Sequence, residues 1–315
     1  MNLRFFSAAE VARLLPYDEC IPLMREAMVK LSAGRTRQTL RQIIDMGEGR
    51  AFGVMPGAML DGGGFGAKLV SVYRDNFAKG LNSHQGILAL FDPQSGAPSA
   101  ILEAGEITAI RTAAASAAAT EALAKPDCKT LAILGYGEQA WRHVEALRLV
   151  RPIAKVSVWG RSLQRASAFA ERVRQSGLEA VAVAEVKQAT ARADIICTVS
   201  SASEPILFSA AVRDGTHINA VGSSRAGPAE IGSDLVARAR FFADHREGVF
   251  AQGAEFIRAR EAGLIGEDHL VGEIGEVFAG SLAGRVHDTD VTIYKSLGSV
   301  VQDLAAAEYI WAKAL

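Results

Sequence analysis

A chain of 315 residues with 49% hydrophobic residues is long enough to fill about two domain cores. Its 34 lysines and arginines against 35 aspartates and glutamates leave a net charge of −1, with no basic stripe for nucleic acid and no acidic tail, so a small molecule is the expected partner. Cys20, Cys128 and Cys197 lie far apart without C-x-x-C spacing, and the six histidines form no ligand pair, which fits buried thiols better than a disulfide framework or a zinc site. No apolar run reaches membrane-spanning length and Met1 to Glu10 lacks a signal core, so a soluble, cytoplasmic protein with no membrane partner is expected.

The first elements are helical. Ser7-x-x-Glu10 is a capping box ahead of Val11, Leu14 and Leu15, and Asp18 is expected to cap a second helix that ends at Gly34. From Gln38 to Phe91 the pattern changes to strands and glycine turns, with strands expected over 40–44, 51–56, 66–72 and 86–92 in an antiparallel or mixed sheet. Residues 105–124 are alanine-rich and helical, with Arg111 near the start. Strands and helices then alternate, with strands expected over 131–134, 155–159, 180–183, 194–199, 217–221 and 240–243. Residues 295–315 read as one more amphipathic helix, on which Asp303 reads as an exposed charge.

The most informative stretch is Leu131-Ala132-Ile133-Leu134-Gly135-Tyr136-Gly137-Glu138-Gln139-Ala140. A strand stops at glycine and a helix begins within three residues, the G-x-G-x-x-A opening of a dinucleotide-binding unit. Gly135 supplies the tight turn, Gly137 leaves the backbone open to a pyrophosphate, and Ala140 lets helix and strand pack closely. Glu138 and Gln139 open the helix whose free N–H groups face the phosphates. The other unusual connections, 160–162, Ser200 to Pro205, and Gly222 to Arg225, also follow strands, so in a parallel sheet they share the carboxyl edge where ligands bind.

The second strand of such a unit normally ends in a carboxylate that holds the ribose of NAD. Here it ends Trp159-Gly160-Arg161-Ser162. Arginine and a serine hydroxyl match a 2′-phosphate instead, which favours NADP(H) over NAD(H). In the first half Arg41, Lys68 and Arg111 stand out as cations in apolar or glycine-rich surroundings. Together they would hold the carboxylate of a small acid and leave Lys68 less basic than usual, suited to proton transfer. Each alone reads better as a structural ion pair or an edge-strand charge. His84, Glu273 and Glu276 are weaker candidates for catalysis or ligand orientation.

The chain resembles the ornithine cyclodeaminase/mu-crystallin family over nearly its whole length. The matching pieces are Gly53-Val54-Met55-Pro56, Ala67-Lys68-Leu69-Val70, Ser83-His84-Gln85, Ile107-Thr108-Ala109-Ile110-Arg111-Thr112-Ala113-Ala114, the Gly135 turn, Ser203-Glu204-Pro205-Ile206-Leu207, Ile218-Asn219-Ala220-Val221-Gly222 and Lys295-Ser296-Leu297-Gly298. The resemblance implies an α/β protein in which a Rossmann NADP-binding domain (119–295) is inserted in a discontinuous, mixed α/β substrate-binding and dimerisation domain (1–118 and 296–315). It implies a homodimer, a small imino or amino acid held by Arg41, Lys68 and Arg111, and cofactor phosphates reached by Arg111 and Thr112. Where true cyclodeaminases carry an aspartate two residues after the Val-Gly pair, this chain has Ser224, followed by Arg225. A serine at that place is neither acid nor base of useful strength. The Ser-Arg pair resembles the branch that reduces cyclic ketimines, which makes an NADPH-dependent ketimine reductase the expected activity. An ornithine cyclodeaminase, an alanine-dehydrogenase-like enzyme and a cofactor-dependent binding protein remain the alternatives.

Overall fold

A computed structural model describes residues 3–73, 75–76, 80–81 and 84–315. The chain divides into two compact units, Met1–Arg111 with Ser299–Leu315, and Thr112–Gly298.

The first unit is built on a seven-stranded mixed sheet. Its strands are β1 (Arg4–Phe6), β2 (Thr36–Gln38), β3 (Gln42–Asp45), β4 (Arg50–Met59), β5 (Phe65–Tyr73), β6 (His84–Phe91) and β7 (Pro98–Glu103), in the order β1-β7-β6-β5-β4-β2, with β3 also paired to β4. Among the described residues the β1–β7 pair is parallel and the other pairs of this sheet are antiparallel. The capping box at Ser7 and Glu10 starts the helix Ala8–Leu14 as expected. The helix Tyr17–Ser32 follows with Pro16, not Asp18, at its cap, and Asp18 sits in the first turn beside the positive helix end. The C-terminal helix Val300–Lys313 packs on β4, β5, β6 and the helix Tyr17–Ser32. It can lie close because Gly57 stands opposite Gly66 in the sheet, and a Cβ at Gly57 would sit 2.5 Å from Val300 Cγ1. This helix begins five residues later than the sequence indicates. Lys295 belongs to a strand, and Ser299 caps the helix through its hydroxyl on the Val301 N–H.

The helix Ala104–Leu123 carries the chain from the first unit into the second. The second unit holds eight strands, β8 (Thr130–Leu134), β9 (Lys155–Trp159), β10 (Glu179–Val183), β11 (Ile195–Thr198), β12 (His217–Ala220), β13 (Arg240–Ala243), β14 (Leu270–Glu273) and β15 (Thr292–Lys295). All pairs are parallel, in the order β10-β9-β8-β11-β12-β15-β13-β14. The central strands β8 and β11 are near-continuous apolar runs, as strands covered on both faces tend to be, while β12 buries His217 and Asn219 with hydrogen bonds to Thr292 and Thr120. The direction of growth reverses between β8 and β11, which makes their carboxyl ends the switch point of a doubly wound sheet. Strands β14 and β15 were not expected from the sequence.

Candidate active site

Lys68 lies mid-strand on β5, opposite Met55 of β4 and Leu88 of β6, and is only 4% exposed. A buried ammonium needs a partner, and the C-terminal helix supplies it. Lys68 Nζ lies 2.6 Å from Asp303 Oδ2 and donates to Thr108 Oγ1 at 3.3 Å. The other oxygen, Oδ1, accepts from Arg111 Nε at 2.8 Å, and Arg111 Nη1 donates to Gln302 Oε1 at 2.7 Å. Thr108 is itself fixed by donating to the Ala104 carbonyl at 2.7 Å.

The expectation that Asp303 is an exposed face charge was wrong, since the residue is fully buried. The helix that carries it is apolar on nearly every side, from Val300 to Ala307, so it has no solvent face there to offer. Burial acts to raise the Asp303 pKa, but Arg111 and Lys68 outweigh it and hold the carboxyl below its ordinary value. Burial pushes the Lys68 ammonium down to about 8, with Asp303 pulling it back up and Arg111 and Arg41 pushing it further down. Arg41 is half-buried, with its Nε 3.4 Å from Met55 Sδ. Two buried cations, Lys68 and Arg111, thus share one buried carboxylate among the described residues, and Arg41 acts on Lys68 from a half-buried position. Arg111 is occupied by Asp303 and Gln302 here, while Thr112, the next residue of its helix, is buried.

In the second unit Gly135 ends β8 at the switch point with φ +139°, a backbone state that L side chains rarely adopt, and a Cβ there would stand 2.6 Å from the Val199 carbonyl oxygen. Gly137 caps the helix Glu138–Val150 without a side-chain hydrogen bond, and nothing lies within 4 Å of where its Cβ would be. The first N–H groups of that helix are therefore open to an anion. Glu138 is its first residue, and Ala140 is fully buried against the sheet. Gln139 carries a buried Oε1 with no partner among the described residues, and the same amide turned over presents a donor. These features fit a dinucleotide pyrophosphate. At the end of β9, Arg161 is exposed and makes no ion pair or hydrogen bond among the described residues. Ser162 caps the next helix, Leu163–Gln175, with its hydroxyl accepting from the Arg165 N–H at 3.3 Å.

The loops after β11 and β12 are joined by Glu230, which the sequence reading missed. Its Oε1 accepts from Ser200 N at 2.7 Å and Ser200 Oγ at 2.6 Å, and its Oε2 accepts from Gly222 N at 2.7 Å. Burial pushes its pKa up against the hydroxyl and amide donors and Lys295. Val221, just before Gly222, is buried. Lys295, at the end of β15, pairs with Glu255 at 2.7 Å and donates to the Ser223 carbonyl at 2.6 Å, while Glu255 Oε1 accepts from Glu230 N at 3.1 Å. Lys295 and Glu255 are essentially inaccessible to solvent. Ser224 and Arg225 thus follow a residue whose carbonyl is pinned. Ser224 is half-buried and Arg225 exposed.

The weaker candidates have structural roles or lie out of view. Glu273 and Glu276 form a capping box for the helix Ile274–Phe278, and Glu273 also accepts from Arg246 N at 2.8 Å. Ser83 and the side chain of His84 lie outside the described residues. The three cysteines are buried free thiols. Among the described residues no group of His, Cys, Asp or Glu could hold a metal ion, and no helix is long and apolar enough to cross a membrane.

A glycine turn at the switch point of a parallel sheet is the phosphate-binding end of a Rossmann-type dinucleotide fold, and Thr112–Gly298 is a unit of that class. Residues 2–315 match the model of the ornithine cyclodeaminase/mu-crystallin family, and the chain belongs to that family. It is 35% identical over 312 residues to a Delta(1)-pyrroline-2-carboxylate reductase of Bacillus cereus, covering 98% of this chain and 96% of that protein. Identity is also 35% over 312 residues, with the same coverage, to ketimine reductase mu-crystallin of Mus musculus. Among solved structures, Thermococcus litoralis Delta(1)-pyrroline-2-carboxylate reductase in complex with NADH and L-proline matches with a TM-score of 0.95 at 33% identity, over 99% of this chain and 97% of that one.

Proposed function

We propose that the protein is an NADPH-dependent reductase of cyclic ketimines that carry a carboxylate on the imine carbon, such as pyrroline-2-carboxylate or piperideine-2-carboxylate, and that its product is the cyclic L-amino acid. The observation that carries this reading is the excess of buried positive charge around Asp303. A carboxylate entering beside Arg41, Lys68 and Arg111 would neutralise it and be held in a fixed orientation. The reduced nicotinamide supplies the hydride when bound. Lys68 supplies the proton from Nζ to the imine nitrogen, which makes the imine carbon electrophilic, and regains it from water. Its pKa of about 8 suits that transfer near neutral pH. Orientation by the guanidinium groups contributes several kcal/mol without covalent chemistry.

The phosphorylated cofactor is inferred from Arg161 and Ser162, where a 2′-phosphate would meet an unpaired guanidinium rather than a carboxylate. The Thermococcus litoralis relative holds NADH, so the preference rests on these two residues of this chain. Thr112, Ser200 and Val221 are assigned to the cofactor with the Gly135–Ala140 turn, and Ser224 and Arg225 to the substrate. Ser224 in place of an acid argues against ornithine cyclisation. A homodimer is supported by two exposed isoleucines on strand β3, Ile43 and Ile44, which are 45% and 61% exposed. The test is a panel of cyclic imines, and of pyruvate with ammonia, followed by nicotinamide absorbance with both cofactors. Turnover of the cyclic imines with NADPH, abolished by Lys68→Met, is expected. Consumption of NADH with pyruvate and ammonia alone would replace the reading with an alanine-dehydrogenase type.

A further inference from the structure

The geometry points to Asp303 as the positioning residue that keeps Lys68 protonated and fixed for proton donation, an inference that rests on the proposed imine reduction and extends it to a residue outside the expected site. Lys68 is faced from β4 by Met55 and from β6 by Leu88, neither of which is charged. The helix Ala104–Leu123 presents the Thr108 hydroxyl and the Arg111 guanidinium, and Arg41 adds a second positive charge from its loop. Burial and both arginines therefore favour the neutral amine. The one acid acting on Lys68 among the described residues is Asp303, 2.6 Å away. It spans Lys68 and Arg111 with separate oxygens, so it fixes the spacing of the two cations as well as the charge of one. Gln302 holds the far side of Arg111 and is itself anchored, its Nε2 donating to Met28 Sδ at 3.2 Å. An acid so enclosed has no route to substrate of its own, since both its oxygens are taken. Its effect reaches the reaction through Lys68.

Removing the charge has a definite sign. Without Asp303 the remaining influences all lower the Lys68 pKa, so the amine loses its proton at a lower pH. An opposite charge at this range shifts a pKa by about 1–3 units. The experiment follows Lys68 by NMR of lysine labelled with carbon-13 at Cε, assigned with Lys68→Arg, in the full-length wild type, Asp303→Asn, Asp303→Ser and Asp303→Glu. Two charge-deleting variants are made so that one folded example suffices, and circular dichroism establishes which is folded. The Lys68 midpoint is expected to fall by about 1–3 pH units in the charge-deleting variants. Asp303→Glu, which keeps the charge, is expected to restore most of the shift. The alkaline limb of kcat/KM on a cyclic imine moves to lower pH by the same amount. A Lys68 midpoint that does not move in a folded charge-deleted variant overturns the inference. A midpoint that moves while the wild type reduces no imine overturns the proposed activity and leaves the role of Asp303 in setting Lys68 intact.

Discussion

Replacing Lys295 by methionine removes the cation that faces Glu255 inside the parallel-sheet unit. Both residues are essentially inaccessible to solvent, their charged atoms are 2.7 Å apart, and Lys295 also holds the Ser223 carbonyl at 2.6 Å. Methionine matches the lysine stem in volume, so the loss is mainly electrostatic, and Glu255 is left as a buried carboxylate without its counter-ion. Breaking one half of such a pair costs about 3–5 kcal/mol. Removing both charges in Lys295→Met/Glu255→Gln takes away the stranded Glu255 ion, the amide oxygen can still accept from Glu230 N, and Glu230, which also feels Lys295, keeps its donors from Ser200 and Gly222. The double variant should therefore lose no more than about 2 kcal/mol. Urea unfolding followed by tryptophan fluorescence measures this in a Trp311→Phe background, where emission comes from Trp141 and Trp159, both within Thr112–Gly298. A cost below about 1 kcal/mol for the single variant refutes the reasoning, as does a double variant as unstable as the two single ones combined.

Three further outcomes follow from the same geometry. Arg161→Ala should raise the KM for NADPH roughly 10- to 150-fold, from the loss of about 1.5–3 kcal/mol of charge-assisted bonding, and leave the KM for NADH nearly unchanged; equal effects on both cofactors would remove the case for a phosphate site. Gly135→Ala places a side chain at φ +139° and 2.6 Å from a carbonyl oxygen, so a strain of about 1–3 kcal/mol should appear as a lower Tm and as loss of the thermal stabilisation given by NADPH. Ile44→Glu puts a charge in place of an exposed isoleucine of β3, and sedimentation should show a dimeric wild type and a dissociated variant; an unchanged dimer places the interface elsewhere.

What the sequence made legible was local. The run Leu131 to Leu134, the turn at Gly135 and the helix after Gly137 carry their periods and their glycines within ten residues, and the strand, turn and helix form there. Lys68 and Arg111 were legible as misfits, because a charge among apolar neighbours asks for a partner. The partner was not legible. Asp303 lies 192 positions from Arg111, and only the packing of the C-terminal helix on β5 brings it to the lysine. A signal was present in the residues around it, Val300 and Val301 before and Ala305, Ala306 and Ala307 after, which leave the helix no polar face. Glu230 and Glu255 were invisible for the same reason, since their meaning comes from Lys295 and from two loops that the parallel sheet aligns. The short strands β1 and β2 have three residues each, too few for an alternation to register.

The most direct test of the account uses NADPH carrying deuterium at the transferable nicotinamide position, incubated with the protein and piperideine-2-carboxylate, with the product examined by mass spectrometry. Transfer of one deuterium to the carbon that bears the carboxylate, absent with Lys68→Met, is the predicted result. A protein that binds NADPH yet leaves the imine unreduced and the deuterium on the cofactor would contradict it.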